Sequence, residues 1–120
     1  MPSNSNRMNK INEELKKEIS KVISYSLKDP SLKGGLITVT KVNTSPDLSI
    51  ARVYVSMINI RNKKDALAAL KKSSGFIRKE VAREVNLRTT PEIIFEFDES
   101  IEYGAKIDEI LKDITKDMKK

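Results

Sequence analysis

Lys71, Lys72, Arg78, Lys79, Arg83 and Arg88 crowd one stretch of the chain, and Ser73, Ser74 and Gly75 interrupt them. Ammonium and guanidinium groups at this density suit phosphate oxygens, which they bind by charge-assisted hydrogen bonds. Small residues among them leave room for another backbone to come close. The chemistry on offer is the binding of a polyanion. Bond making is poorly provided for. The chain has no Cys and no His, so it has no thiolate nucleophile, no Cys-based metal site and no imidazole base. Its serines lack the usual partners, and no S-x-x-K site or nucleophile elbow is present. Asp98, Glu99 and Glu102 form an acidic cluster that suits Mg²⁺ or acid–base work. The plainer reading is that they flank a helix start, where the helix dipole favours negative charge. Lys33-Gly34-Gly35 lacks the spacing of a phosphate-binding loop and reads as a turn. No metal or cofactor is expected.

The elements that must position these residues follow from hydrophobic period. Ile11, Leu15, Ile19, Val22, Ile23 and Leu27 recur in steps of three and four, one face of a helix. Asn4, Ser5 and Asn6 offer caps before it, and Asp29-Pro30 is expected to end it. Residues 36–45 are rich in β-branched types, with Ile37 and Val39 on one face. Pro46-Asp47 reads as a hairpin turn. Residues 48–57 then alternate, with Ala51, Val53, Val55 and Met57 inward and Arg52 and Tyr54 outward. Helical period returns over 62–73, with Ala66, Leu67 and Leu70 inward. It breaks at Ser73–Gly75 and resumes with Ile77, Val81 and Val85. Residues 92–98 make a third strand. Ser100 is expected to cap a last helix built on Ile107, Ile110, Leu111 and Ile114. Phe76, Phe95 and Phe97 are expected in the core. The predicted class is α+β, a three-stranded sheet with helices packed on one face.

The chain has 120 residues and no linker, so one domain is expected, frayed at 1–5 and 116–120. The N-terminus lacks the apolar core of a signal peptide, and no apolar run spans a bilayer. A soluble cytoplasmic protein is expected. Net charge is +6, unevenly spread. Residues 59–88 hold nine basic and three acidic side chains, whereas 89–120 hold five and nine. The positive charge thus gathers around the Ser73–Gly75 break. A basic face of this kind suits nucleic acid, and it also suits simple solubility.

A helix–break–helix unit after a hairpin, followed by a third strand, resembles the KH domain, whose G-x-x-G loop clamps nucleic-acid backbone. This chain has only Gly75 there. A closer resemblance runs through "INEELKKEIS" and "LKDP" (11–20, 27–30), "LITVTKVNTSPDLSIARVYVS" (36–56), "SSGFIRKEVAREVNLRTTPEIIFEFDES" (73–100) and "EYGAKIDEIL" (102–111). In that order these stretches resemble the ribosome-binding factor A family. The resemblance implies a KH-like (type II) fold in which an Ala-x-Gly kink replaces G-x-x-G. Ser73-Ser74-Gly75 occupies that place, with Ser for Ala. It also implies a monomeric, non-enzymatic factor that binds the small (30S) ribosomal subunit and its 16S rRNA during late maturation and precursor end processing. An assembly GTPase is a further implied partner.

The RNA-binding residues expected on this reading are Lys71, Lys72, Ser73, Ser74, Gly75, Arg78, Lys79, Arg83 and Arg88 around the break. Arg7, Lys10 and Lys17 of the first helix extend them, and Arg52 lies on the outward strand face. Lysines and arginines there would hold phosphates, giving register more than base specificity. Two other readings stay open. One is a protein-interaction adaptor, or a generic KH-like RNA module with no tie to the ribosome. The other, with least support, is an RNA-modifying or cleaving enzyme.

Overall fold

The computed structural model describes the backbone of residues 2–100 and the side chains of residues 7–100. The helix expected after Ser100 lies outside them. The order is α1 (Pro2–Tyr25), β1 (Leu36–Thr44), β2 (Ile50–Ile58), α2 (Lys63–Lys72), α3 (Ser74–Glu84) and β3 (Glu92–Phe97), with a short 3₁₀ turn at Pro30–Leu32. Among the described residues the fold is α+β, three helices and a three-stranded sheet.

α1 obeys its apolar period. Ile11, Leu15, Ile19, Val22 and Ile23 are all buried. Its ends differ from expectation. It begins at Pro2, ahead of Asn4, Ser5 and Asn6; proline fits a first turn because its missing N–H would be unpaired there anyway. It stops at Tyr25, before Asp29-Pro30. Asp29 instead has the extended backbone that proline imposes and caps the 3₁₀ turn, its carboxylate accepting from the Ser31 N–H at 2.9 Å.

The sheet runs β1-β2-β3. β1 and β2 are antiparallel, and β2 and β3 are parallel. On β2 the odd residues Ala51, Val53, Val55 and Met57 are buried, as alternation requires. Ile93 and Phe95 continue that face on β3, in register with Ala51 and Val53. β1 changes phase midway. Val39 pairs with Val55 but Lys41 pairs with Tyr54, so Thr40 is an extra residue and the buried set passes from Val39 to Val42 and Thr44. The Thr40 hydroxyl lies within donating distance of both Tyr54 O and the Asp98 carboxylate, tying the bulge to the end of β3. Asn12 of α1 accepts from the Thr44 N–H at 3.1 Å. That bond occupies an edge-strand donor that would otherwise face water.

α1 packs on β1 and α3, α3 on β3, and α2 on β3 and the 3₁₀ turn. Leu70, Ile77, Val81 and Phe95 close the core beneath them. Two tight turns frame the sheet. Gly34 has φ +90°, open to glycine. A Cβ on Gly35 would lie 2.2 Å from Ile58 O, so the backbones meet there with no room for a side chain. At the β1–β2 turn, Asp47 accepts from the Ser45 hydroxyl and from the Ser49 N–H and hydroxyl. These bonds, the Ser49 hydroxyl first, lower its carboxyl pKa from 3.8 to about 2.

Two outcomes follow. Gly35→Ala loses about 1–3 kcal/mol by overpacking, read as a lower urea midpoint. Because the folded pKa of Asp47 is depressed, its stabilising effect is fully present above the unfolded value of 3.8 and disappears as pH falls through about 2. Asp47→Ala is therefore less stable than the parent at neutral pH, and acid titration closes the gap over that window.

Candidate functional site

The break between α2 and α3 is one residue wide. Ser73 (φ −88°, ψ 1°) ends α2 and precedes α3, and its N–H donates back to Ala69 O and Leu70 O. Gly75 is not the hinge. It lies in the first turn of α3 with no positive φ, and a Cβ built on it meets nothing within 4 Å. The fold therefore has no need of glycine at this position. What glycine does there is keep the exposed surface at the start of α3 free of side chain.

α3 divides into stripes. Ile77 and Val81 face the core, followed by Val85. Phe76, Lys79 and Arg83, at i, i+3 and i+7, form an exposed stripe. Phe76 is 45% exposed, contrary to the core position expected of it. Its neighbour Ile77 takes the inward slot, and one residue along a helix is a turn of about 100°. The spacing to Lys79 and Arg83 is the signal that places Phe76 on the surface. Arg83 pairs with Glu80 at 3.5 Å, a surface contact of small worth that leaves its guanidinium available.

The other basic residues are close in sequence but go separate ways. Lys71 lines a cavity of about 600 Å³ at the end of β3, with Lys41, Tyr54, Leu67 and Asp98. Lys72 faces the 3₁₀ turn. The Asp29 carboxyl is held below its ordinary range by the Ser31 N–H and hydroxyl, and the charge of Lys72 adds to this. Arg78 sends Nε and Nη2 to Thr90 O at 3.1 and 2.8 Å, locking α3 to the approach of β3. Arg88 meets Arg7 of α1 at a groove over Met8, Ile11, Pro46 and Leu48. Lys10 and Lys17 are exposed on α1. Arg52 stands apart on the open face of the sheet, paired with Glu96 at 3.3 Å, and Lys41 sits over the Tyr54 ring at 5.7 Å nearby. Ser73 and Ser74 are half-buried in the junction.

Among the described residues no group of acidic side chains is placed to hold a metal ion, and no helix is long and apolar enough to cross a membrane. Asp98 is engaged by Thr40 and by the Ser100 N–H and hydroxyl.

The class defined here is an α+β domain whose helical layer turns a cationic, aromatic-bearing face outward beside a glycine that the fold does not require. The chain belongs to the ribosome-binding factor A family, whose model matches residues 7–111. A ribosome-binding factor A from Clostridium botulinum is 53% identical over 109 residues, covering 90% of this chain and 90% of that one. One from Caldanaerobacter subterraneus is 48% identical over 111 residues, covering 92% and 90%. The crystal structure of ribosome-binding factor A from Thermus thermophilus superposes with a TM-score of 0.68 at 31% identity, covering 75% of this chain and 93% of that one. Coordinates of the Thermus thermophilus factor fitted into a cryo-EM map of a 30S complex give a TM-score of 0.59 at 32% identity, with 70% and 87% covered.

Gly75→Ala tests the division between fold and surface. Replacing an exposed helical glycine raises stability by about 0.5–1 kcal/mol, read as a higher urea midpoint. A lower midpoint would return Gly75 to a structural role.

Proposed function

We propose that this chain is a single-domain, non-enzymatic assembly factor that binds the small ribosomal subunit through its 16S rRNA. The observation that carries the reading is the exposed Phe76–Lys79–Arg83 stripe beside the bare surface of Gly75. A helical face with cations and one aromatic suits an RNA backbone with an unpaired base, the ring stacking and the cations holding phosphates. Gly75 lets a phosphate approach the start of α3, where N–H groups favour an anion. Ser73 and Ser74 flank that approach, and Lys71, Lys72, Lys10, Lys17 and Arg78 broaden the positive field around it. The fold is read as KH-like of type II, with Ser73-Ser74-Gly75 in place of the glycine clamp.

The mechanism is occupancy. The protein holds an immature conformation of the RNA, in late maturation and near precursor end processing, and departs when the final structure forms. Family membership and the 30S complex of the Thermus thermophilus relative support this reading. It extends to a monomer acting in the cytoplasm, released with the help of an assembly GTPase. Arg52, on the far face of the sheet, serves a second contact with the particle.

Co-sedimentation with immature small subunits across a salt series tests the proposal. Binding weakens as salt rises, because phosphate contacts release counterions. Lys79→Glu and Arg83→Glu each flatten the salt slope by about one contact, and Phe76→Ala weakens binding with little change in slope. Binding indifferent to salt, or equal for both subunits, would sink the proposal.

A further inference from the structure

Arg7 and Arg88 are far apart in sequence, yet they line one groove of about 290 Å³ together with Met8, Ile11, Pro46 and Leu48. Among the described residues no acidic side chain lines it. Arg52 and Arg78 are engaged by Glu96 and Thr90 O. Arg7 and Arg88 have no hydrogen-bond or ion-pair partner among the described residues. The floor is apolar and built at a cost. Leu48 is buried at φ +62°, a backbone region that branched L residues avoid. The turn holds it there through Leu48 N–H to Ser45 O and the three bonds to Asp47. Strain of this sort gathers at binding sites, where the surrounding structure over-determines it.

We infer that this groove seats one unstacked nucleotide of the bound RNA, its base over Met8, Ile11 and Leu48 and its phosphate between the two guanidiniums. The chemistry matches on each side. Guanidinium is planar and weakly hydrated, so it both stacks on a base and forks onto a phosphate. At about 290 Å³ the groove falls just short of the usual ligand pocket, about 300 to 1,000 Å³, a size that suits one nucleotide better than a helix or strand of a protein. The groove is at the opposite end of α3 from the Ser73 junction, about 16 Å away at 1.5 Å per residue. It is thus a contact distinct from the Ser73 junction, lying beyond the Arg83 end of the stripe. This inference rests on the RNA-binding reading above.

The test uses the full chain with ¹³C-methyl methionine. Met8 reports on the groove, and buried Met57 serves as the internal control. Single-stranded hexaadenylate is expected to move the Met8 methyl upfield by the ring current of a base, leaving Met57 still. Arg7→Ala and Arg88→Ala each weaken that titration about tenfold while the melting temperature holds, because both side chains are exposed. Inorganic polyphosphate is expected to leave Met8 without the upfield shift. A Met8 signal unmoved at saturating hexaadenylate, or moved equally by polyphosphate, would overturn the inference. A photo-cross-linker at position 46 is expected to reach ribosomal RNA in the small-subunit complex, and capture of a ribosomal protein alone would also overturn it. Failure of the parent protein to co-sediment with small subunits at any salt would instead defeat the assembly-factor reading. Unchanged co-sedimentation of the Arg7→Ala, Arg88→Ala double variant, with Met8 of the parent silent, would defeat only the groove.

Discussion

The parallel pairing of β2 with β3 is the constraint on which the helical layer depends. Ile50 stands opposite Glu92, so after β2 ends at Ile58 the chain must travel back along the whole strand before β3 can start. That return is about 26 Å at roughly 3.3 Å per residue. One straight helix from Lys63 to Glu84 would rise about 33 Å, overshoot it, and cover only one line of the sheet. Breaking the run at Ser73 gives two shorter helices. α2 then covers the outer side of β3 and meets the 3₁₀ turn, while α3 sits between it and α1. The exposed cationic face is a by-product of this packing. Once Ile77 and Val81 are committed to the core, Phe76, Lys79 and Arg83 have nowhere to go but out.

The same packing distributes positive charge that sequence proximity would have kept together. Lys71 and Lys72 are neighbours, and a helical step of about 100° sends one toward the end of β3 and the other toward Asp29. Arg78 is spent on fastening α3 to Thr90 O. Conversely, Arg7 and Arg88 come together because α1 lies against α3 and the hairpin turn fills the space beneath them. Charge density along a chain therefore locates a basic region, and packing divides it into a stripe, a structural tie and a groove.

Much of the fold was legible beforehand, for a local reason. Helical and strand periods are short-range, and each side chain's face follows from its own backbone. The buried rows of α1 and β2 appear where their spacing puts them; the hairpin turn includes Pro46-Asp47 but runs on through Ser49, so Leu48, expected in the strand, lies in the turn. Several features were not legible. The bulge at Thr40 exists only relative to β2, so nothing in residues 36–44 alone announces the change of phase. The ends of α1 depend on what the flanking residues do instead of helix. Asp29 was free to cap a separate turn. Phe76 looked apolar enough for the core, but only one of two adjacent residues can face inward, and Ile77 took that place.

The α+β class, the family, the basic region and the lack of a thiol or imidazole can all be read from residue order alone. These are properties of composition and of periods a few residues long. Tertiary structure decided which cations share a surface and which are tied down. It also decided that Gly75 is dispensable to the fold while Gly35 is not. The reason is physical. A glycine is required where another backbone arrives within contact distance, as Ile58 and Asn59 do at Gly35 and as nothing does at Gly75, and that arrival is a fact of three dimensions.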